Sequence, residues 1–488
     1  MVDKIMPVKF HEIPEPKMIC FYVGNGSGSK PLQGYLDGHP ELYMLPAYPL
    51  TYFYPHWGDW TNNGAASPGW PELIEALLYN HSSILDSREF AGHNGLTTLG
   101  KDQNEVLVID REEFQQILLN MLADEPVSSR TFLLAIHYAY AICQREDIQS
   151  KKALLYHVHV PAYVNRHVAK DFPDMLTIGM VRDPRANVYG RYNHSFAAVG
   201  VERLNTSDAL IYAQRNYRVT ATLIYKGMEV LRGLPKENCV VVRTEDLHYR
   251  RDDVMQAVTN VMGIGGDSCL KQMTFDGLEW WGDTIYGMKP MNTFNPCVVS
   301  DHWKATIGWV DWYVFEGLLC NYFGRYSYPR EKYVTNSGLD RVMLFFMMLV
   351  PTAFEKAILK AYFQPSNWLR FWQAIREEDS SARPFKDYSR HAYYRHKWTN
   401  QGLNLDKPRW YINAVQWSNG GQPCRGIYVI VNIIRYTLNF IFIIGEVVHR
   451  WAICSRAFLR MLKRSEILPP SSMRDNGKPY NARIIAPL

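Results

Sequence analysis

Short apolar runs separated by longer mixed stretches set the rhythm of the first two thirds of the chain. The run Lys17–Val23 (KMICFYV) is apolar at nearly every position, enters a Gly/Ser loop, and gives way at Pro31 to a short helical pattern. Ala153–Val158, residues 175–181 and Cys239–Arg243 are similar runs, with helical spacing between them at 162–170 and 207–233. Residues 251–263 place Val254, Val258, Val261 and Met262 on one helical face, and Gly263 can stop that helix in a left-handed cap. Strands apolar on both faces and alternating with helices predict an α/β fold, with a central, mainly parallel sheet covered on both sides.

Between 48 and 150 the pattern changes to Trp/Pro/Gly-rich loops with two helical stretches, 110–123 and 128–143. This reads as an insertion over the cleft that shapes an acceptor pocket. After Tyr328 comes a second change: a joint rich in Pro, Gly, Asn and Ser, then the apolar residues 342–350, a polar aromatic stretch, and the apolar run 427–445. The expected organisation is an α/β domain over 1–328 and a mostly helical extension over 329–488. The run 427–445 approaches the roughly 20 residues needed to span a bilayer. Arg435 at its centre costs about 2.5–3.5 kcal/mol on insertion scales. Asn432, Arg435 and Asn439 share one helical face, and basic residues follow through Lys463 and Arg464. That pattern fits a helix at an anionic membrane surface over 427–464, and equally a core helix with a solvated basic stripe.

Composition narrows the class. A net charge of +5 over 488 residues is mild, so local anion sites are expected and a nucleic-acid partner is not. The eight cysteines form no CxxC pair and no zinc spacing, which fits buried reduced thiols. The N-terminal residues lack the apolar core of a signal peptide, so a cytoplasmic or peripheral-membrane location is expected.

Three segments carry candidate chemistry. Residues 24–31 read Gly-Asn-Gly-Ser-Gly-Ser-Lys-Pro where a strand meets a helix, so backbone N–H groups can converge on an anion at the positive helix end. The string nearly matches GxxxxGK[ST], but Ser29 stands for the second Gly and Pro31 for the hydroxyl residue that would hold magnesium, which disfavours a magnesium-dependent kinase. A plain Gly/Ser turn with an exposed Lys30 is the bland alternative. Further on, His157-Val158-His159-Val160-Pro161 ends a strand. Alternation puts both histidines on one face, as a base, metal ligands or satisfied core residues. Last, residues 178–192 run from a strand into a helix through Arg182-Asp183-Pro184-Arg185, where Arg182 could grip a phosphate or, with Asp183 as cap and Pro184 at the first helical position, simply start a helix.

Taken together these segments resemble the sulfotransferase family. LQGYLDGHPELYML (32–45) resembles the stretch after that family's 5'-phosphosulfate loop, and HVHVP resembles its Lys-Thr-His-Leu-Pro. Arg182 onward resembles its RDPRxxxxS 3'-phosphate signature, 241–247 its Tyr-Glu-Asp-Leu strand end, and 300–304 its late Gly-Asp-Trp-Lys. The resemblance spans about Lys17 to Tyr326. It implies a P-loop-type three-layer fold, 3'-phosphoadenylyl sulfate (PAPS) as sulfuryl donor, no metal, and a small-molecule or carbohydrate acceptor bearing a hydroxyl or amine. Carried over residue by residue, it implies Gly26, Ser27, Gly28, Ser29 and Lys30 around the 5'-phosphosulfate. It places Arg182, Gly190 and Arg191 at the 3'-phosphate, His159 as base and Lys30 as the cation on the leaving phosphate.

Four departures stand out. Gly26 replaces the family's Lys or Arg, Gly190 its Ser, His157 its Lys, and Cys297-Val298-Val299 its Arg-Lys-Gly. Two weakened ligand positions leave open a catalytically silent, membrane-associated relative. A phosphoryl-transfer reading also stays open, with 106–110 as the magnesium-binding strand, although Asp110 reads as easily as a helix N-cap.

Overall fold

The computed structural model describes residues 8–23, 26–61, 68–90, 94–158, 167–187, 189–190, 238–283, 303–330 and 338–352, with scattered positions from 356 to 462. The chain divides into two compact units: Met1–Arg182 with Glu229–Val299 and Asn476–Leu488, and Asp183–Met228 with Ser300–Asp475.

The first unit is built on a five-stranded sheet of β1 (Lys17–Val23), β2 (Leu42–Met44), β3 (Ala153–Val158), β4 (Leu176–Val181) and β5 (Cys239–Arg243), in the order β2-β3-β1-β4-β5. Every pairing in it is parallel. The α/β class with a parallel sheet is therefore what the apolar runs encode. Along β1 successive side chains alternate between two cores. Met18, Cys20 and Tyr22 join Leu154, Tyr156, Phe53, Ile74, Leu118 and Phe132, while Ile19, Phe21 and Val23 join Leu155, Ile178, Val242, Leu32, Val254 and Val258. Both faces are apolar because both are covered, which makes three layers.

The first face is covered by α2 (Phe53–Thr61), α3 (Trp70–Asn80), α4 (Arg111–Leu122) and α5 (Ser129–Cys143). These lie in the stretch read from the sequence as an insertion over the cleft, and much of that stretch is instead a layer of the fold. β2 is the reason: at three residues it gives no apolar run, so the crossover from β2 to β3 cannot be told from a loop. Asp110, read as a helix N-cap, accepts from Glu113 N (2.7 Å) at the start of α4, and Ser128 Oγ accepts from Thr131 N (3.0 Å) at the start of α5. Residues 106–110 add no strand to the sheet. Val108 makes only an isolated bridge to Asp86, so Asp110 is a cap and not the end of a magnesium-binding strand.

The second face carries α1 (Ser29–Leu36) and the Arg251–Met262 helix, which ends at Gly263 with φ 80° in the expected left-handed cap. A hairpin of Thr274–Phe275 and Leu278–Glu279 turns through Asp276 (φ 48°) and Gly277 (φ 75°), a pair of positive-φ residues that Asp-Gly tolerates.

In the second unit, Trp309–Leu318 packs on Gly338–Leu349, the helices on either side of the joint after Tyr328. A Cβ on Gly317 would stand 2.8 Å from Leu344 Cδ1, so glycine sets their close approach.

Candidate functional site

Strand order decides where a ligand can sit. From β1 the chain crosses toward β2 on one side, whereas β4 and β5 build outward on the other, so the C-terminal ends of β1 and β4 flank a topological switch point. The glycine loop follows β1 and Arg182 follows β4. Arg182 Nη1 donates to Gly26 O at 3.2 Å, joining two of the sequence-predicted elements at this edge.

The loop is fixed from a third strand. Thr244, directly after β5, donates its Oγ1 hydrogen to Ser27 O and lies 3.2 Å from Val181 O, the last carbonyl of β4. Gly26 and Gly28 have φ of 83° and 74°, in the left-handed region where a side chain is strained. At Gly28 space is also short, since a Cβ would lie 2.7 Å from Thr244 Cγ2. Gly28 is the N-cap of α1, which begins at Ser29 rather than at Pro31. Ser27, Ser29 and Lys30 are all buried.

Lys30 lies in the first turn of α1, but its ammonium is engaged. Nζ donates to Asn94 Oδ1 (3.0 Å) and Asn94 O (3.4 Å), forms an ion pair with Asp283, and sits 5.5 Å from the Trp280 ring. Trp280 Nε1 and Tyr48 Oη donate to the same Asn94, at 3.2 and 2.9 Å. None of these partners has a sequence signal: Asn94 and Asp283 stand 64 and 253 residues from Lys30.

His157 occupies the buried end of β3. Gln33 Nε2 donates to Leu45 O and Ala47 O, which turns Gln33 Oε1 toward His157 as an acceptor. His157 Nδ1 therefore carries the hydrogen and donates to Gln33 Oε1 (2.8 Å) and Ala47 O (3.1 Å), leaving the lone pair on Nε2. The ring packs against Phe21 and edge-on to Tyr48. Burial pushes its pKa down to about 3, the Ala47 carbonyl opposing and the Lys30 charge assisting, so it is neutral near pH 7. His248 is likewise pushed down to about 4, first by burial and then by the Arg182 charge.

The Asp-Pro-Arg that follows Arg182 belongs to the second unit and does structural work there. Asp183 Oδ1 accepts from Arg185 N (2.9 Å). The Arg185 guanidinium donates to both Asp183 oxygens, to Glu316 Oε1 (2.6 Å) and to Pro329 O (2.7 Å), with its centre 4.4 and 4.9 Å from the Trp303 and Phe323 rings. Gly190 is buried in the same unit. His159 and Arg191 lie outside the described residues, as do 207–233, 297–299 and most of 427–445. Among the described residues no group of three His, Cys, Asp or Glu stands together to hold a metal ion.

No family model and no curated protein matches this sequence. Among solved structures, it is similar to the sulfotransferase domain from the Synechococcus PCC 7002 olefin synthase at 19% identity and a TM-score of 0.32, covering 60% of this chain and 88% of that one. It is also similar to the sulfotransferase domain from the curacin biosynthetic pathway at 16% identity and a TM-score of 0.34, covering 58% and 89%.

Proposed function

We propose that this protein is a PAPS-dependent sulfotransferase whose donor site lies at the β1–β4 edge of the first unit. The reading rests on one observation: Arg182, after β4, is hydrogen-bonded to Gly26 of the glycine loop after β1, at the switch point of a parallel sheet. A phosphate-bearing nucleotide fits residues of this kind. Gly26, Ser27, Gly28 and Ser29 would hold its 5' end at the start of α1, where backbone N–H groups and the helix dipole favour negative charge. Arg182 would hold its 3'-phosphate through charge-assisted bonds. PAPS, when bound, supplies the sulfuryl group and a bisphosphate leaving group.

The chain's own residues do the rest. The backbone amides of a loop held rigid by Thr244 need no reorganisation to meet an anion. Lys30 adds positive charge, tempered by Asp283. His157, buried and neutral, orders Gln33 and Ala47 behind the loop. His159 enters on the sequence resemblance as the group that takes the acceptor's proton. The engagement of Lys30 by Asp283 gives the silent-relative reading its one specific support, because it offsets the cation assigned to the leaving group.

Titration calorimetry with adenosine 3',5'-bisphosphate in excess EDTA tests the donor site. Binding is expected without metal, and Arg182→Ala is expected to weaken it by about 10- to 100-fold, the worth of hydrogen bonds to a charged group. Absence of binding by the unaltered chain, or an unchanged affinity in the variant, overturns the assignment. If binding holds, sulfuryl transfer from PAPS before and after His159→Ala separates an enzyme from a silent relative.

A further inference from the structure

The Gly338–Leu349 helix wears its apolar residues on the wrong side. Leu344 and Met348 are buried against the second unit, and Leu344 packs on Gly317. Leu339, Val342, Met343, Phe345, Phe346 and Leu349 are exposed, Leu339 at 78% and Phe346 at 59%. At about 100° per residue these six fall on one broad face, and Asp340, the helix's acidic residue, falls opposite. Patches of this kind mark interaction surfaces.

A second feature adjoins it. Phe345 meets Phe458 with ring centroids 6.1 Å apart. Near Phe458 in sequence, helical residues Ile444, Val448, Leu459 and Leu462 are exposed. From 447 to 465 the sequence carries Arg450, Arg456, Arg460, Lys463 and Arg464 and no acidic residue, and Arg456 is exposed.

We infer that this face docks the protein on an anionic lipid bilayer, with the apolar residues of Gly338–Leu349 in the headgroup boundary and Arg456 toward the lipid phosphates. The inference is independent of the donor site. Charge chooses the occupant. A second copy would bring the same basic fringe against itself, whereas an anionic membrane complements it. Length sets the mode. Twelve residues make a helix of about 18 Å, short of the roughly 30 Å hydrocarbon core, and among the described residues no helix is long and apolar enough to cross a membrane. The helix therefore lies in the interface plane.

The test is vesicle flotation with the full chain, comparing phosphatidylcholine alone with phosphatidylcholine mixed with phosphatidylserine. Binding is expected to the mixed vesicles and to fall with added salt. V342S/F346S alters two residues that are more than half exposed, so the fold should survive, and it should lower the partition coefficient about tenfold or more. R456Q should lower it about fivefold on serine-containing vesicles and leave it unchanged on phosphatidylcholine. The inference is overturned if the unaltered chain ignores serine-containing vesicles, or if V342S/F346S binds them as well as wild type. It is equally overturned if light scattering shows a dimer that V342S/F346S dissolves while vesicles remain unbound, since the face then pairs copies.

Discussion

Replacing Gly28 with alanine probes the rigidity on which the donor site depends, and its cost divides into two separable parts. The first is conformational: at φ 74° an L-residue pays about 1–2 kcal/mol. The second is steric, because the new Cβ would stand 2.7 Å from Thr244 Cγ2. Thr244 cannot swing aside cheaply. It is β-branched, buried, and held by its hydroxyl between Ser27 O and Val181 O, so the overlap should cost a further ~1–3 kcal/mol, the range for overpacked cores.

Thr244→Ser removes the offending methyl and keeps the hydroxyl, which makes a double-mutant cycle informative. G28A alone should lose about 2–5 kcal/mol, and in the T244S background only the conformational ~1–2, for a coupling of about 1–3 kcal/mol. Urea unfolding of the four proteins measures this, and adenosine 3',5'-bisphosphate affinity should follow the same order. A coupling below about 0.5 kcal/mol would show that Thr244 does not clamp the loop, and the preorganised anion site would lose its physical basis.

Three further outcomes follow from buried charge. Asp276 accepts from Tyr140 Oη (2.5 Å) and Gln144 Nε2 (2.8 Å), and burial, then the neighbouring Asp37 charge, pushes its pKa up to about 7. An unfolded aspartate titrates near about 3.9. The folded state therefore holds a proton the unfolded state releases, and stability should be full below that value, fall by up to ~1.4 kcal/mol per pH unit, and level off above about pH 7. Denaturant midpoints across that range should show the slope and Asp276→Asn should flatten it; an equal slope in the variant refutes the assignment. Asp283→Asn should tighten adenosine 3',5'-bisphosphate binding by about three- to tenfold, because it frees Lys30 from an opposing charge, and weaker binding would show that Asp283 instead positions the lysine. Glu316→Ala should cost about 1–3 kcal/mol by leaving a buried Arg185 N–H without its acceptor while Asp183 still balances the charge, and an unchanged urea midpoint counts against that pair.

What could be read from the sequence follows from how locally each feature is determined. β1, β3, β4 and β5 were legible because a strand covered on both faces is a continuous apolar run, and α4 and α5 because their apolar residues recur at helical spacing, with Asp110 as a cap before α4. β2 is too short to show a period. α2 reads FYPHWGDWT, and its internal Pro55 and Gly58 argue against the helix it forms, so tertiary packing of Phe53 and Tyr54 overrides propensity there. The glycine loop and Arg182 were legible as motifs. Asn94, Asp283 and Thr244 were not, because what matters about them is proximity that only the folded chain creates.

The two arginines of Arg182-Asp183-Pro184-Arg185 show why a motif underdetermines its own chemistry. By residue type either could grip a phosphate. Arg185 spends four of its five N–H donors on two carboxylates and a carbonyl, so its surroundings already carry a net negative charge and would repel a second anion. Arg182 is half-buried at the end of β4, where it donates to the Gly26 carbonyl of the glycine loop. Under the proposed function the phosphate-binding duty falls to Arg182. The second arginine holds the start of the following helix in place, and a charge-neutral replacement there should act through stability in the first instance.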